Sequence, residues 1–221
     1  MVTVNPDIEK AIHLQLQRDP PFTEQDLAAV ETLPVLRATD ISDLARLTGL
    51  RALVLVGYGG RDLKPLAGLP IVALDVEVSA VCDLTVVAEL PELECLCARN
   101  NAIEDIDVLA MGGRDFMEVD LTGNPLSDHA YHEVVPVLRE RVPDLRVSDT
   151  REWRLTRRLY AAGLPFDYYR KGEGYWLCRP GLEHTPYPNA DHLKIEPGEL
   201  EALLDGDPSE IPGLFPVSDR S

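Results

Sequence analysis

Leucines recur through the first two-thirds of this chain in a fixed cadence. Leu44, Leu47, Leu50, Leu53 and Leu55 step by three, three, three and two. The cadence returns at Leu90, Leu93 and Leu96, with Ala98 two residues on and Asn101, Ile103 and Ile106 behind it. It appears again in "IVALDVE", in "MEVDLTGNPLSD" with Asn124, Leu126 and Asp128, and in "DLRV". Taking Leu53, Val72, Leu96, Val119 and Leu145 as equivalent gives a period between 19 and 26 residues.

Such a repeat allows few folds. Two apolar residues two positions apart share one face of a short strand. No single coil carries enough apolar surface to close a core, so the coils must stack and bury one another's inward columns. The stacked strands then pair as a parallel sheet. Asn101 and Asn124 fall where the chain turns off the strand, where a side-chain amide satisfies backbone groups that would otherwise be buried unpaired. A long buried helix is the weaker reading, because Pro70, Pro91 and Pro125 would break it. The expected fold class is α/β, a leucine-rich repeat solenoid with a parallel sheet, since the period lies in that range.

The segment "FTEQDLAAVETL" followed by "ISDLARLTGLRALVL" resembles the start of an internalin-type leucine-rich repeat domain. "LPELECLCARNNAIEDIDVLA" matches the same consensus nearly column by column. The resemblance covers roughly residues 20 to 148. It implies a short helical cap leading into coils of about 22 residues, and a binding rather than a catalytic role. The chain departs from the family pattern in lacking a secretion signal, in the irregular coil "LDVEVSAVCDLTVV", and in a helix that grows from the last unit.

The organisation read from sequence is an N-terminal helical cap over 1–32, a solenoid over 33–148 and a C-terminal α+β appendage over 149–221. Asn5-Pro6 opens a helix to about Gln17, and Thr23 with Asp26 opens a second to about Glu31. "SDHAYHEVVPVLRERVPDLRV" reads as a helix with Pro136 in its first turns or at a kink, then a strand. Beyond it, "TREWRLTRRLYAAGLP" is an amphipathic helix, "FDYYRKGEGYWLC" a hairpin turning at Lys171–Gly174, "RPGLEHTPYPNADHLKI" a proline-rich loop or extended arm, and "EPGELEALLDGD" a short helix from Pro197.

Charge limits the partners. With 21 Lys and Arg against 38 Asp and Glu, the net charge is -17. That balance disfavours nucleic acid and anionic membrane surfaces and suits a basic protein partner. The one basic cluster is Arg151, Arg154, Arg157 and Arg158. No leader and no apolar span is read at the N-terminus, and the four cysteines form no disulfide framework. A cytoplasmic setting is expected.

The outward side chains of the strands form the candidate recognition strip: Val54, Val56, Ala73, Asp75, Cys95, Cys97, Arg99, Glu118, Asp120 and Thr122, bordered by Glu77. Tyr169, Tyr175 and Trp176 offer a second contact, since tyrosine and tryptophan favour interfaces. No cofactor and no metal is expected: Cys95-x-Cys97 is not a zinc spacing by itself, and His129 with His132 lacks the His-Glu-x-x-His order. The reading is therefore a non-catalytic protein-binding module, including the case of an inhibitor or immunity protein for a basic toxin. The alternative is an enzyme, or an enzyme-recruiting subunit, centred on Cys178 and His184, with His192 and Asp191 nearby. No nucleophile-elbow signal accompanies that group.

Overall fold

The computed structural model describes residues 4–181 and 192–215. Six short strands, β1 (Thr32–Leu36), β2 (Ala52–Val56), β3 (Ala73–Glu77), β4 (Cys95–Cys97), β5 (Glu118–Asp120) and β6 (Asp144–Arg146), pair in sequence order as one parallel sheet. Every pairing keeps one inward column in register: Leu33, Leu53, Leu74, Leu96, Val119 and Leu145. The coils therefore measure 20, 21, 22, 23 and 26 residues. This corrects the expected column at one place. Leu74, not Val72, stands beside Leu53, because the strand of that coil starts at Ala73.

Four residues past each of the first five inward positions the backbone turns left-handed: Arg37, Gly57, Val78, Asn100 and Gly123 have φ of 57°, 67°, 48°, 54° and 80°. Glycine adopts that geometry freely, and a β-branched residue such as Val78 only under strain. Opposite the sheet the coils close through 3₁₀ turns at Ser42–Arg46, Lys64–Leu66 and Thr85–Glu89. The later coils use helices: α3 (Asp107–Ala110), then a π turn at Ala130–Val134 running into α4 (Val135–Arg141). Pro136 follows directly on the π turn inside this continuous helix, an irregularity of the kind that accommodates a residue without an N–H.

At the open end, the cap consists of α1 (Pro6–Leu16) and α2 (Glu24–Ala28), the latter shorter than expected. Asn5 accepts a hydrogen bond from the Asp7 amide, and Thr23 with Asp26 forms a reciprocal capping box. Ile8, Ile12, Phe22 and Leu27 seal the first coil. α2 comes so close that a Cβ at Gly49 would collide with the Ala28 carbonyl.

Beyond the solenoid, α5 (Thr150–Ala161) leads into an antiparallel sheet of β7 (Asp167–Lys171), β8 (Gly174–Cys178) and β9 (His192–Lys194), followed by α6 (Pro197–Asp205) and a 3₁₀ turn at Pro208–Leu214. The hairpin turns where expected, with Lys171 opposite Gly174. β9 falls at the end of the segment read as a proline-rich loop or extended arm, of which residues 182–191 lie outside the described residues. α5 contributes to two apolar cores. Trp153 belongs to that of the solenoid, while Leu155 and Leu159 belong to a second core with Phe166, Tyr168, Leu177, Leu200 and Ile211.

Candidate functional site

Parallel pairing turns the outward residues into straight rows. One row runs Pro34, Val54, Asp75, Cys97, Asp120 and Arg146 across six strands. A second runs Thr32, Ala52, Ala73, Cys95, Glu118 and Asp144. Strand neighbours stand about 4.8 Å apart, so each row is a ruler: the first is apolar at its start, acidic in the middle and ends on Arg146, while the second is small and uncharged up to Cys95 and ends on Glu118 and Asp144. The middle of the face sinks into a concavity of about 320 Å³ lined by Val54, Asp75, Glu77, Cys97, Asp120 and Arg146 among others.

The charges there are partly paired. Arg99 forms an ion pair with Glu77. Arg146 reaches Asp144 at 2.5 Å, Glu118 at 3.3 Å and Asp120 at 4.0 Å. Asp120 also accepts the Thr122 amide at 2.9 Å. Asp75 differs: its Oδ1 is shut off from solvent and has no hydrogen-bond partner among the described residues. Burial and the neighbouring Glu77 push the Asp75 carboxyl up to about 6. Burial and the surrounding carboxylates also raise the Cys97 thiol well above its ordinary value, so it is protonated and is not a nucleophile at neutral pH.

The structure thus groups Val54, Asp75, Cys97, Arg99, Glu118 and Asp120 around one concavity or the one beside it, and adds Glu77 as a full member. Three of the sequence candidates present little surface to a partner, Asp120 among them at 5% exposed, although it lines the concavity. Val56 is 8% exposed, flanked in its row by Leu36 and Glu77. Tyr169 is 7% exposed because its hydroxyl turns inward to His192 Nδ1 at 2.6 Å. Tyr175 is half-buried and stacks on Tyr168 in the second core, centroids 5.9 Å apart. Trp176 is half-buried, and its indole N–H has no partner among the described residues. What the hairpin brings to the face instead is its tip. Arg170 and Lys171, with Tyr169, wall a concavity of about 230 Å³ against Arg99, Asp120, Thr122 and Arg146. The signal for that lay only in the hairpin's length.

Other candidates have structural work. Arg151 forms a two-pronged contact with Glu201, both bonds 2.8 Å, Arg158 meets Asp205 at 2.5 Å and Arg157 meets Glu104 at 3.9 Å. The basic cluster is thus largely spent in fastening α5 to α6 and the solenoid. His129 lies between Asp107 and Glu133, each at 3.2 Å, and His132 packs edge-on to Trp153.

Cys178 is fully buried where the hairpin meets the solenoid, accepting a hydrogen bond from Asn100 Nδ2 at 3.2 Å. Burial holds its thiol far above the ordinary range, which removes its nucleophilicity. His184 and Asp191 lie outside the described residues. Beside Cys178 in register is Asp167, also fully buried, with one oxygen accepting from the Tyr160 hydroxyl at 3.1 Å and the other without a partner. Sequence reasoning missed this acid entirely.

Among solved structures the chain is similar to internalin C2 of Listeria monocytogenes, with 20% identity, 65% of this chain and 93% of that chain covered, and a TM-score of 0.43. It is also similar to an internalin, InlF, of the same organism, with 20% identity, 66% of this chain and 64% of that one, and a TM-score of 0.34. A third likeness is to the CBM51-2 and INT domains of Clostridium perfringens ZmpB: 21% identity, 47% of this chain, 19% of that one, TM-score 0.30. No protein-family model matches the chain, and no curated protein matches it.

Proposed function

We propose that this chain is a non-catalytic binding module whose concave sheet face grips a protein partner. One observation carries the reading. Six strands in unbroken register present a graded strip, from Pro34 and Val54 through Asp75, Cys97 and Asp120 to Arg146, on a surface that a solenoid leaves open. Four carboxylates, Asp75, Glu77, Glu118 and Asp120, face two arginines in the central concavity. That excess, with a net charge of -17, favours a basic segment on the partner and fast electrostatic capture. An inhibitor or immunity protein for a basic toxin is one role of this kind, and a cytoplasmic setting accords with the four free cysteines. The catalytic alternative around Cys178 loses its nucleophile to burial.

The test is affinity capture from the native host with the wild type, Arg99→Glu and Asp120→Lys. One protein captured by the wild type and lost, by tenfold or more, from both variants locates the site on the concave face. Its undiminished capture by both would move the site to the C-terminal unit.

A further inference from the structure

We propose that Asp75, Glu77 and Cys97 form a binding site for a zinc-class divalent metal ion on the floor of the concave face. Asp75 and Cys97 are register partners on adjacent strands, and Glu77 is two residues past Asp75 on the same face. One ligand atom from each of the three lies within 4.8 Å of the others. Ligands of a tetrahedral zinc ion stand about 3.5 Å apart, so closure needs side-chain adjustments of about 1 Å and no movement of the sheet.

Two further features set this group apart from an ordinary acidic surface. Asp75 Oδ1 is sealed from solvent and unpartnered among the described residues. A buried carboxylate oxygen without a donor is costly, and a cation would satisfy it. The third ligand is a thiol, which directs the choice away from calcium and magnesium, whose sites are built from oxygen alone, and towards zinc or cobalt.

The surroundings supply the rest. Arg99 holds Glu77 from one side, as outer partners orient metal-bound carboxylates. The Cys97 thiol contacts Glu77 Oε1 at 3.7 Å. On binding, its proton passes to solvent and the sulfur lone pair goes to the metal. The fourth position opens into the concavity, where a water completes the shell. The site does not depend on the face also binding protein.

The experiment uses the full chain, reduced and stripped with a chelator, titrated with Co²⁺ and then Zn²⁺. The expected result is one equivalent of Co²⁺ with a thiolate-to-cobalt charge-transfer band in the near ultraviolet, bleached by Zn²⁺. Cys97→Ser removes the band and weakens Zn²⁺ binding by ~100-fold, and Asp75→Asn weakens it by ~10-fold or more. Cys95→Ser, one row away and half-exposed, leaves both unchanged. All three substitutions are near-isosteric, and circular dichroism reports whether each variant is folded. A titration without one-to-one binding, a band that survives Cys97→Ser, or one that disappears in Cys95→Ser would overturn the assignment.

Discussion

Single side chains decide whether each coil closes. Asn101, fully buried, donates to the carbonyls of Val76, Ala98 and Arg99 and accepts the Val81 amide. Asn124 does the same work one coil later, bonding Ala98, Leu121 and the Ile103 amide. In the coil before Asn101 the post is held by Ser79, which accepts the Tyr58 amide and donates to the Glu77 carbonyl. Both asparagines were legible in the sequence as amides at a fixed place after the leucines. Ser79 was not, because serine is common everywhere and its coil also carries Val78 at the left-handed position that Gly57 and Gly123 hold elsewhere. Asp167 is the residue with the clearest pH signature. Burial raises its carboxyl well above 3.8, so the folded state keeps the proton that the unfolded chain gives up. The stability this contributes is greatest below pH 3.8 and is lost as pH rises through the folded-state value. Asp167→Asn cannot ionise, so its melting temperature should gain on the wild type as pH rises from 3.8 towards neutrality. Thermal unfolding at four pH values across that window measures it, and parallel curves would show that Asp167 is not held neutral.

Elements were read well where periodicity was strong and poorly where partners decide. The cap helices, the strands of the solenoid and the hairpin follow from capping residues, step size and turn glycines in the sequence. β9 does not, since His192, Leu193 and Lys194 become a strand only because β8 offers them an edge. α5 shows what an element gains from two neighbours. Trp153 stacks on Tyr131 with centroids 4.0 Å apart and rings 5° from parallel, and its indole N–H donates to the Leu126 carbonyl at 2.7 Å. Trp153→Ala removes the stack, the bond and the side chain's buried area, a loss of about 4 kcal/mol. For a chain of this size that is a fall of about 10 °C in melting temperature. Scanning calorimetry checks it, and a fall of under 3 °C would mean the tryptophan is not the fastener described here.

On the scale of the molecule, the concave face was legible as a strip of alternate residues, but its depth was not. Whether an outward residue is open or covered depends on the hairpin tip of Arg170 and Lys171, 50 residues or more away in the chain from Arg99 and Asp120. Stacked repeats by themselves tend to unravel from their ends, because each coil leans only on the next. Here the two apolar cores share α5: Trp153 belongs to one, Leu155 and Leu159 to the other. Neither half can melt without tearing away a wall of its neighbour. Heating should therefore yield one sharp endotherm whose calorimetric and van't Hoff enthalpies agree, with tryptophan fluorescence and circular dichroism tracing the same curve. Two separated peaks would mean that the helix is a hinge between independent bodies rather than a keystone common to both.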